Sequence, residues 1–305
     1  MKNILFFTQN RWAFAQIHHA LVKRLWSEGV YSHLLDWTIS YSKDEMDMLN
    51  SKCDVFFTTP EAVRILRDYG IPISKIAAVA HCERDIAFAI HEWNREFFNE
   101  LHGYGVVNPF LIDVSKQMGV TRQPQVVRIG IDTEHFYAKP SSKLDTAGYA
   151  GIMEAWLSHG PEIKRGRLFV RICDELGLNK VIHNNYHHLC MSGFYPKVDA
   201  VVVTSCSETV GLPILEGAAA GRLVISAEVG YANGKQGVLC RMEDEDYVTD
   251  AKQALAFYRG NPTAYREACH NYQAYVMENH DWHKCINDWL ELIYNPQNNQ
   301  VTAQP

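Results

Sequence analysis

No run of about 18 consecutive apolar residues occurs in the chain, so the sequence offers no membrane-spanning helix. Paired cysteines are missing as well. Eight cysteines are present (Cys53, Cys82, Cys173, Cys190, Cys206, Cys240, Cys269 and Cys285), and none forms a C-x-x-C pair. Several lie inside apolar runs, where a thiol behaves as a small hydrophobe, so no disulfide framework is expected and a reducing cytoplasm fits best. An excess of positive charge is absent: 29 Lys and Arg face 35 Asp and Glu, a formal net charge of -6. That balance counts against coating of nucleic acid and leaves local basic patches open. The first residues, MKNILFFTQNRW, lack the long apolar stretch and small-residue cleavage site of a secretory leader. No G-x-G-x-x-G follows the first apolar run, which removes a plain dinucleotide-dependent dehydrogenase. Metal-ligand patterns are missing too. For His183, His187 and His188, no Cys or carboxylate completes a metal set at typical zinc spacing. The acidic run Glu243–Asp246 is wrongly placed for a metal-binding D-x-D site and reads as a solvated turn.

What the chain does have is alternation. Its 305 residues, 47% hydrophobic and 21% charged, suit a globular protein of two domains. Short apolar runs such as NILFFT, CDVFFTT, KIAAVAH and VDAVVVTS alternate with helical patterns such as PEAVRILRDYG and RGRLFVRICDELG. That order predicts parallel sheets covered by helices on both faces, an α/β class. The polar stretch YAKPSSKLD reads as a linker, after which the alternation restarts. The expected organisation is a Rossmann-like domain over 1–138, a second over 139–270, C-terminal helices over 271–296 packing back across both, and a disordered tail at 297–305.

Residues 201–226, VVVTSCSETVGLPILEGAAAGRLVIS, concentrate the chemistry. An apolar strand ends in a small-residue loop, a helix of small residues follows, and a second apolar strand closes the unit. In parallel sheets, ligands bind beyond the carboxyl ends of strands, where loops meet helix N-termini. Pro213 fits a first helical turn, and the free N–H groups and helix dipole there favour a phosphate. Gly217, in mid-helix, costs about 0.5–1 kcal/mol relative to alanine, which predicts that a ligand or a neighbouring strand presses on the helix. Two readings stay open for Glu216: complementing the dipole, worth ~0.3–1 kcal/mol, or accepting both hydroxyls of a ribose.

Glu208, seven residues, then Glu216, set in SETVGLPILEGAAAG, closely resembles the E-x7-E region of retaining glycosyltransferases of the GT-B fold, above all glycosyltransferase family 4. VVRIGIDTEHF (Val126 to Phe136) resembles that family's interdomain segment, and FYPKVDAVVVTSCSE resembles the stretch leading to its last catalytic strand. The resemblance implies GT-B architecture, two Rossmann-like domains facing across a cleft. It implies that Glu216 holds the donor's ribose and Glu208 faces the transferred sugar. Thr209, Val210, Gly211 and Leu212 would offer backbone N–H groups to sugar and diphosphate. Lys164 would neutralise the diphosphate with Arg165 as a second cation, and both also fit a solvated helix start. His81 matches a histidine lying by the sugar's C6 side; a structural histidine is the alternative.

Two departures stand out. The N-terminal loop, TQNRWAFAQ, has none of the family's paired glycines, so Asn10 and Arg11 are acceptor-side guesses only. The arginine that usually precedes the diphosphate lysine is replaced by Ile152. The expected activity is retaining transfer from a nucleoside diphosphate sugar to an acceptor hydroxyl on a glycan or lipid-linked sugar, with no bound metal and no cofactor. Peripheral membrane contact stays open, and no stable nucleic-acid complex is expected. The rival readings are transfer to a modified base in DNA, as in some viral GT-B proteins, and a non-catalytic nucleotide-sugar-binding protein.

Overall fold

The computed structural model describes residues 2–9, 12–151, 153, 163–183, 188–232 and 234–295. Two compact units result, Met1–Gly130 with Trp282–Pro305, and Ile131–Asp281. No described helix is long and apolar enough to cross a membrane.

The first unit runs β1 (Asn3–Thr8), α1 (Trp12–Ser27), β2 (Tyr31–Asp36), α2 (Lys43–Lys52), β3 (Val55–Thr58), α3 (Val63–Asp68), β4 (Ile76–Ala80), α4 (Glu83–Glu92), α5 (Phe97–Glu100), β5 (Gly103–Val106), α6 (Phe110–Gln117) and β6 (Gln125–Val126). Its sheet has the order β2-β1-β3-β4-β5-β6, with every pairing parallel. The second unit runs α7 (Thr133–Phe136), β7 (Thr146–Ala150), α8 (Gly166–Leu176), β8 (Asn179–His183), β9 (Ala200–Val203), α9 (Leu212–Ala219), β10 (Leu223–Ala227), β11 (Val238–Cys240), α10 (Asp244–Gly260) and α11 (Pro262–Asn279). Its sheet, β11-β10-β9-β7-β8, is also parallel throughout. A last helix, α12 (Trp282–Tyr294), returns to the first unit.

The continuous apolar runs explain the central strands. β4 and β9 are buried along their whole length, as strands covered on both faces must be. The helices show the other period: in α8, Leu168, Phe169, Ile172 and Cys173 are buried while the residues between them reach solvent. α12 covers the first sheet. Trp289 lies 6.5 Å from the Phe6 ring and 6.0 Å from Phe57. Leu292 rests over Gly103 and Gly105, where an added Cβ would come within 2.9 and 3.0 Å of it.

Several elements differ from the sequence pattern. The chain between β4 and β5 forms two helices, α4 and α5, and the helical pattern at 60–70 begins with a 3-10 turn, Pro60–Ala62. α2 and α10 were not expected; α2 carries a capping box between Ser42 and Glu45. The acidic run at 243–246 is no solvated turn. It opens α10, and its carboxylates pair with Arg165, Arg167, Arg171 and Arg241. The division between units falls at 130/131, ahead of the expected 138/139. Residues 131–138 stay with the second unit because Phe136 packs edge-on against Tyr195, 5.9 Å away, and Thr133 hydrogen-bonds Asp281. α11 belongs to that unit as well: Gln273 donates to the carbonyls of Ala138 and Ala219. The tail at 297–305 lies outside the described residues.

Candidate functional site

The second sheet reverses its order between β7 and β9, since β8 lies on one side of β7 and β9 with β10 on the other. Such a switch point opens a crevice beyond the carboxyl ends of the two strands. The segment after β7 ends in Lys164 and Arg165, and the segment after β9 contains Glu208. Backbone bonds stitch them together. Cys206 N–H donates to the Ile163 carbonyl at 2.9 Å. The Thr204 hydroxyl donates to the Lys164 carbonyl at 2.6 Å, and the Tyr149 hydroxyl reaches the same oxygen at 3.3 Å.

Lys164 Nζ forms an ion pair with Glu208 Oε1, and the two side chains are 33% and 17% exposed. An ammonium and a carboxylate, both half-buried yet reachable, therefore meet next to a helix start. Gly211 caps that helix in the left-handed region, φ 70°, which releases the chain from the loop into α9. Pro213 occupies the first turn, as its fixed φ favours. Thr209, Val210 and Leu212 are partly exposed around the buried Gly211. Gly217 is explained by its neighbour strand: a Cβ there would sit 2.8 Å from Val201 Cγ2.

Glu216, 1% exposed, lies in the second turn of α9 and accepts from the Tyr195 hydroxyl at 2.6 Å. Burial, and the Glu216 carboxylate beside it, push the Tyr195 hydroxyl well above its usual range, so it stays a donor. The sequence placed Tyr195 in a resembling stretch but gave it no partner. A buried carboxylate in a helix of alanines and glycine was the signal that one was required.

Residues 160–256 match the family described as Glycosyl transferases group 1, a span that holds Lys164, Glu208 and Glu216. No curated protein sequence matches the chain. Among solved structures, HepE of Anabaena in complex with UDP and glucose superposes with a TM-score of 0.69 at 11% identity, covering 97% of this chain and 100% of HepE. Sucrose-phosphate synthase from Thermosynechococcus elongatus gives 0.66 at 12% identity, covering 96% and 98%. The fold is that of the GT-B glycosyltransferases. A third GT-B neighbour, an alpha-glucosyltransferase in complex with UDP and a 13-mer DNA containing a HMU base, gives 0.65 at 10% identity, covering 96% and 99%.

Within this GT-B fold, Arg165 does not share the partner of Lys164, Glu208. It is the one described non-glycine residue with positive φ, 47°, and its side chain is 6% exposed. Its Nε donates to the Thr204 carbonyl at 2.6 Å, and Nη1 donates to the Met242 carbonyl and to Asp244 at 3.0 Å. The guanidinium also lies 5.3 Å over the Tyr247 ring. The turn at 164–165 thus sends the two cations to different partners, Lys164 to Glu208 and Arg165 to α10.

In the first unit, His81 follows β4. Burial pushes its imidazole down to about 4, so it is neutral at physiological pH. Its ring stands edge-on to His18 at 5.8 Å, and His18 Nδ1 pairs with the Thr8 hydroxyl at 2.8 Å. Asp85, at the third position of α4, accepts the His81 N–H at 2.6 Å and the Cys82 N–H at 3.2 Å, which fixes the loop that carries the imidazole. Desolvation raises Asp85 to about 6. Asp85 was missed from sequence, although an acid three residues into a helix is a capping signature. Asn10 and Arg11 lie outside the described residues, as do Ile152 and His187.

Proposed function

We propose that the protein transfers a sugar from a nucleoside diphosphate sugar to an acceptor hydroxyl, with retention at the anomeric carbon and without a bound metal. The observation that carries this reading is the Lys164–Glu208 pair at the switch point, directly ahead of α9 and Glu216. As the anomeric C–O bond breaks, both electrons leave on the diphosphate, the acceptor oxygen bonds the anomeric carbon from the same face, and its proton passes to the departing diphosphate oxygen. Lys164 and the N-terminal end of α9 receive that charge, and stabilising charge where it develops is usually the largest catalytic contribution. Glu208 orients the sugar and offsets the oxocarbenium-like charge. Glu216, held by Tyr195, takes the ribose hydroxyls. Thr209, Val210, Gly211 and Leu212 give N–H groups to sugar and diphosphate. The first unit takes the acceptor, and neutral His81 is its candidate hydrogen-bonding group. The UDP, glucose and UDP-glucose in the HepE complexes support a nucleotide-sugar donor, with UDP the first nucleotide to try.

The acceptor in this reading is a glycan or a lipid-linked sugar. The neighbour bound to HMU-containing DNA favours a second reading, transfer to a modified base; the net charge of -6 weighs against it. Gel shifts with duplex DNA separate the two, since tight binding that weakens steeply with salt would favour the base-modifying reading. The donor site is tested by donor-saturation curves. Glu216→Gln keeps the shape and weakens a charge-assisted bond, so donor KM should rise more than kcat falls. Glu208→Gln should lower kcat more than it raises KM. Equal losses that follow melting temperature in both variants would mean that the carboxylates only support the helix.

A further inference from the structure

β10 is followed by a tight turn at residues 229–231, in which Val229 N–H donates to the Ala227 carbonyl and Ala232 N–H to the Val229 carbonyl, at 2.8 and 3.0 Å. The turn grips the Glu208–Gly211 loop by its carbonyls: Gly230 N–H donates to the Glu208 carbonyl at 2.9 Å, and Tyr231 N–H donates to the Val210 carbonyl at 3.0 Å. In a trans peptide the C=O and the following N–H point in opposite directions, and the described chain has no cis peptide. Fixing the Glu208 and Val210 carbonyls on the turn therefore aims the N–H groups of Thr209 and Gly211 away from it, both in one sense. Gly230 is what lets the turn come so close. Its φ is 58°, and a Cβ built on it would lie 2.5 Å from the Val210 oxygen and 2.7 Å from the Val210 carbonyl carbon. No side chain fits there without rotating or displacing the Val210–Gly211 peptide. The far side of the turn is anchored as well, since the Tyr231 ring packs on His280, centroids 4.9 Å apart.

We propose that this turn is a positioning element for the donor, with Gly230 its key residue: it presets the Thr209 and Gly211 N–H groups to receive the departing diphosphate. This rests on the donor-site reading above and extends it to the turn after β10, which holds the Glu208–Gly211 loop by its backbone. Donors fixed before the reaction need no reorganisation as charge develops, and removing one such donor typically lowers the rate by roughly 10²–10³-fold.

The test compares UDP with UMP, because only the diphosphate presents a second phosphate to the loop, while base and ribose contacts are shared. Calorimetry on the full-length wild type, Gly230→Ala and Gly230→Asn, with melting temperatures alongside, gives the UDP/UMP affinity ratio. Asparagine tolerates the left-handed backbone and still carries the clashing Cβ, so it separates the close approach from backbone strain. Both variants should lose about tenfold or more in UDP affinity while UMP affinity stays within about twofold. A ratio unchanged in both Gly230 variants, or UDP and UMP weakened together in step with melting temperature, overturns the proposal. For the case in which neither variant folds, amide NMR of the wild type decides: saturating UDP should shift Thr209 and Gly211 N–H far more than Gly230 and Tyr231 N–H, and unmoved Thr209 and Gly211 amides overturn it. A wild type that binds neither UDP nor GDP, ADP or dTDP defeats the donor-site reading first, and the positioning role with it.

Discussion

Replacing Arg165 distinguishes a clamp from a ligand, because the two roles predict different losses. Its guanidinium donates to two backbone carbonyls, those of Thr204 and Met242. Charged hydrogen bonds of this kind are worth ~1.5–3 kcal/mol each. The bridge to Asp244 adds about 1 kcal/mol at most, because Asp244 is 37% exposed and keeps Arg167 as a partner. Arg165→Ala should therefore cost about 3–5 kcal/mol, the contributions being less than additive. For a unit of this size that corresponds to a fall of about 6–20 °C in melting temperature. Arg165→Gly loses the same bonds and relieves the left-handed backbone, worth ~1–2 kcal/mol, so it should melt about 2–8 °C above the alanine variant. Calorimetric melting and UDP titration of wild type and both variants read the two quantities. An alanine variant that melts like wild type but binds UDP far more weakly would refute the reasoning and return Arg165 to the diphosphate.

Lys164→Ala should weaken nucleoside diphosphate binding by about tenfold or more, as the loss of a partly buried charge-assisted contact implies; calorimetry with unchanged affinity would make Lys164 a surface lysine. A pH series should separate two opposing groups after β4. Asp85, raised from 3.8 to about 6, contributes stability that is complete below pH 3.8 and is lost as pH rises to about 6. His81, lowered from 6.5 to about 4, contributes stability that is complete above pH 6.5 and is lost as pH falls to about 4. The two largely cancel in wild type, so Asp85→Asn should expose the histidine's share, a rise of ~3 kcal/mol between pH 4 and 6.5 in denaturant midpoints. A variant profile parallel to wild type would contradict this.

The parallel sheets and the loop leading into α9 were legible because their signals are local. Apolar runs such as Ala200–Val203 and the cap-and-proline start of α9 each specify an element within a few residues. The resemblance singled out Glu208 and Glu216, and the structure gives each a partner, Lys164 and Tyr195. What could not be read depends on distant partners. Arg165 looked like a second phosphate cation because nothing near it in sequence reveals a left-handed turn or its anchors at Thr204, Met242 and Asp244. The sequence left open whether a ligand or a strand presses on Gly217, and Val201 of β9 answers that. The passage between units at 130/131 was not legible because the chain passes between them twice, and the parallel bridge Ile131–Asp281 joins residues far apart in sequence. α10 went unseen because its acidic first turn looks solvated until the arginines of α8 and of the segment before it are brought beside it.

The central claim, that the Lys164–Glu208–Glu216 site binds a nucleoside diphosphate sugar, is tested most directly by melting temperature against UDP-, GDP-, ADP- and dTDP-sugars, in wild type and in Glu216→Gln. One base should stabilise the wild type by about 2.7 kcal/mol at a hundredfold excess over Kd, a rise of about 5–11 °C, with a much smaller rise in the variant. No rise with any of the four, or the same rise in Glu216→Gln, would contradict the account.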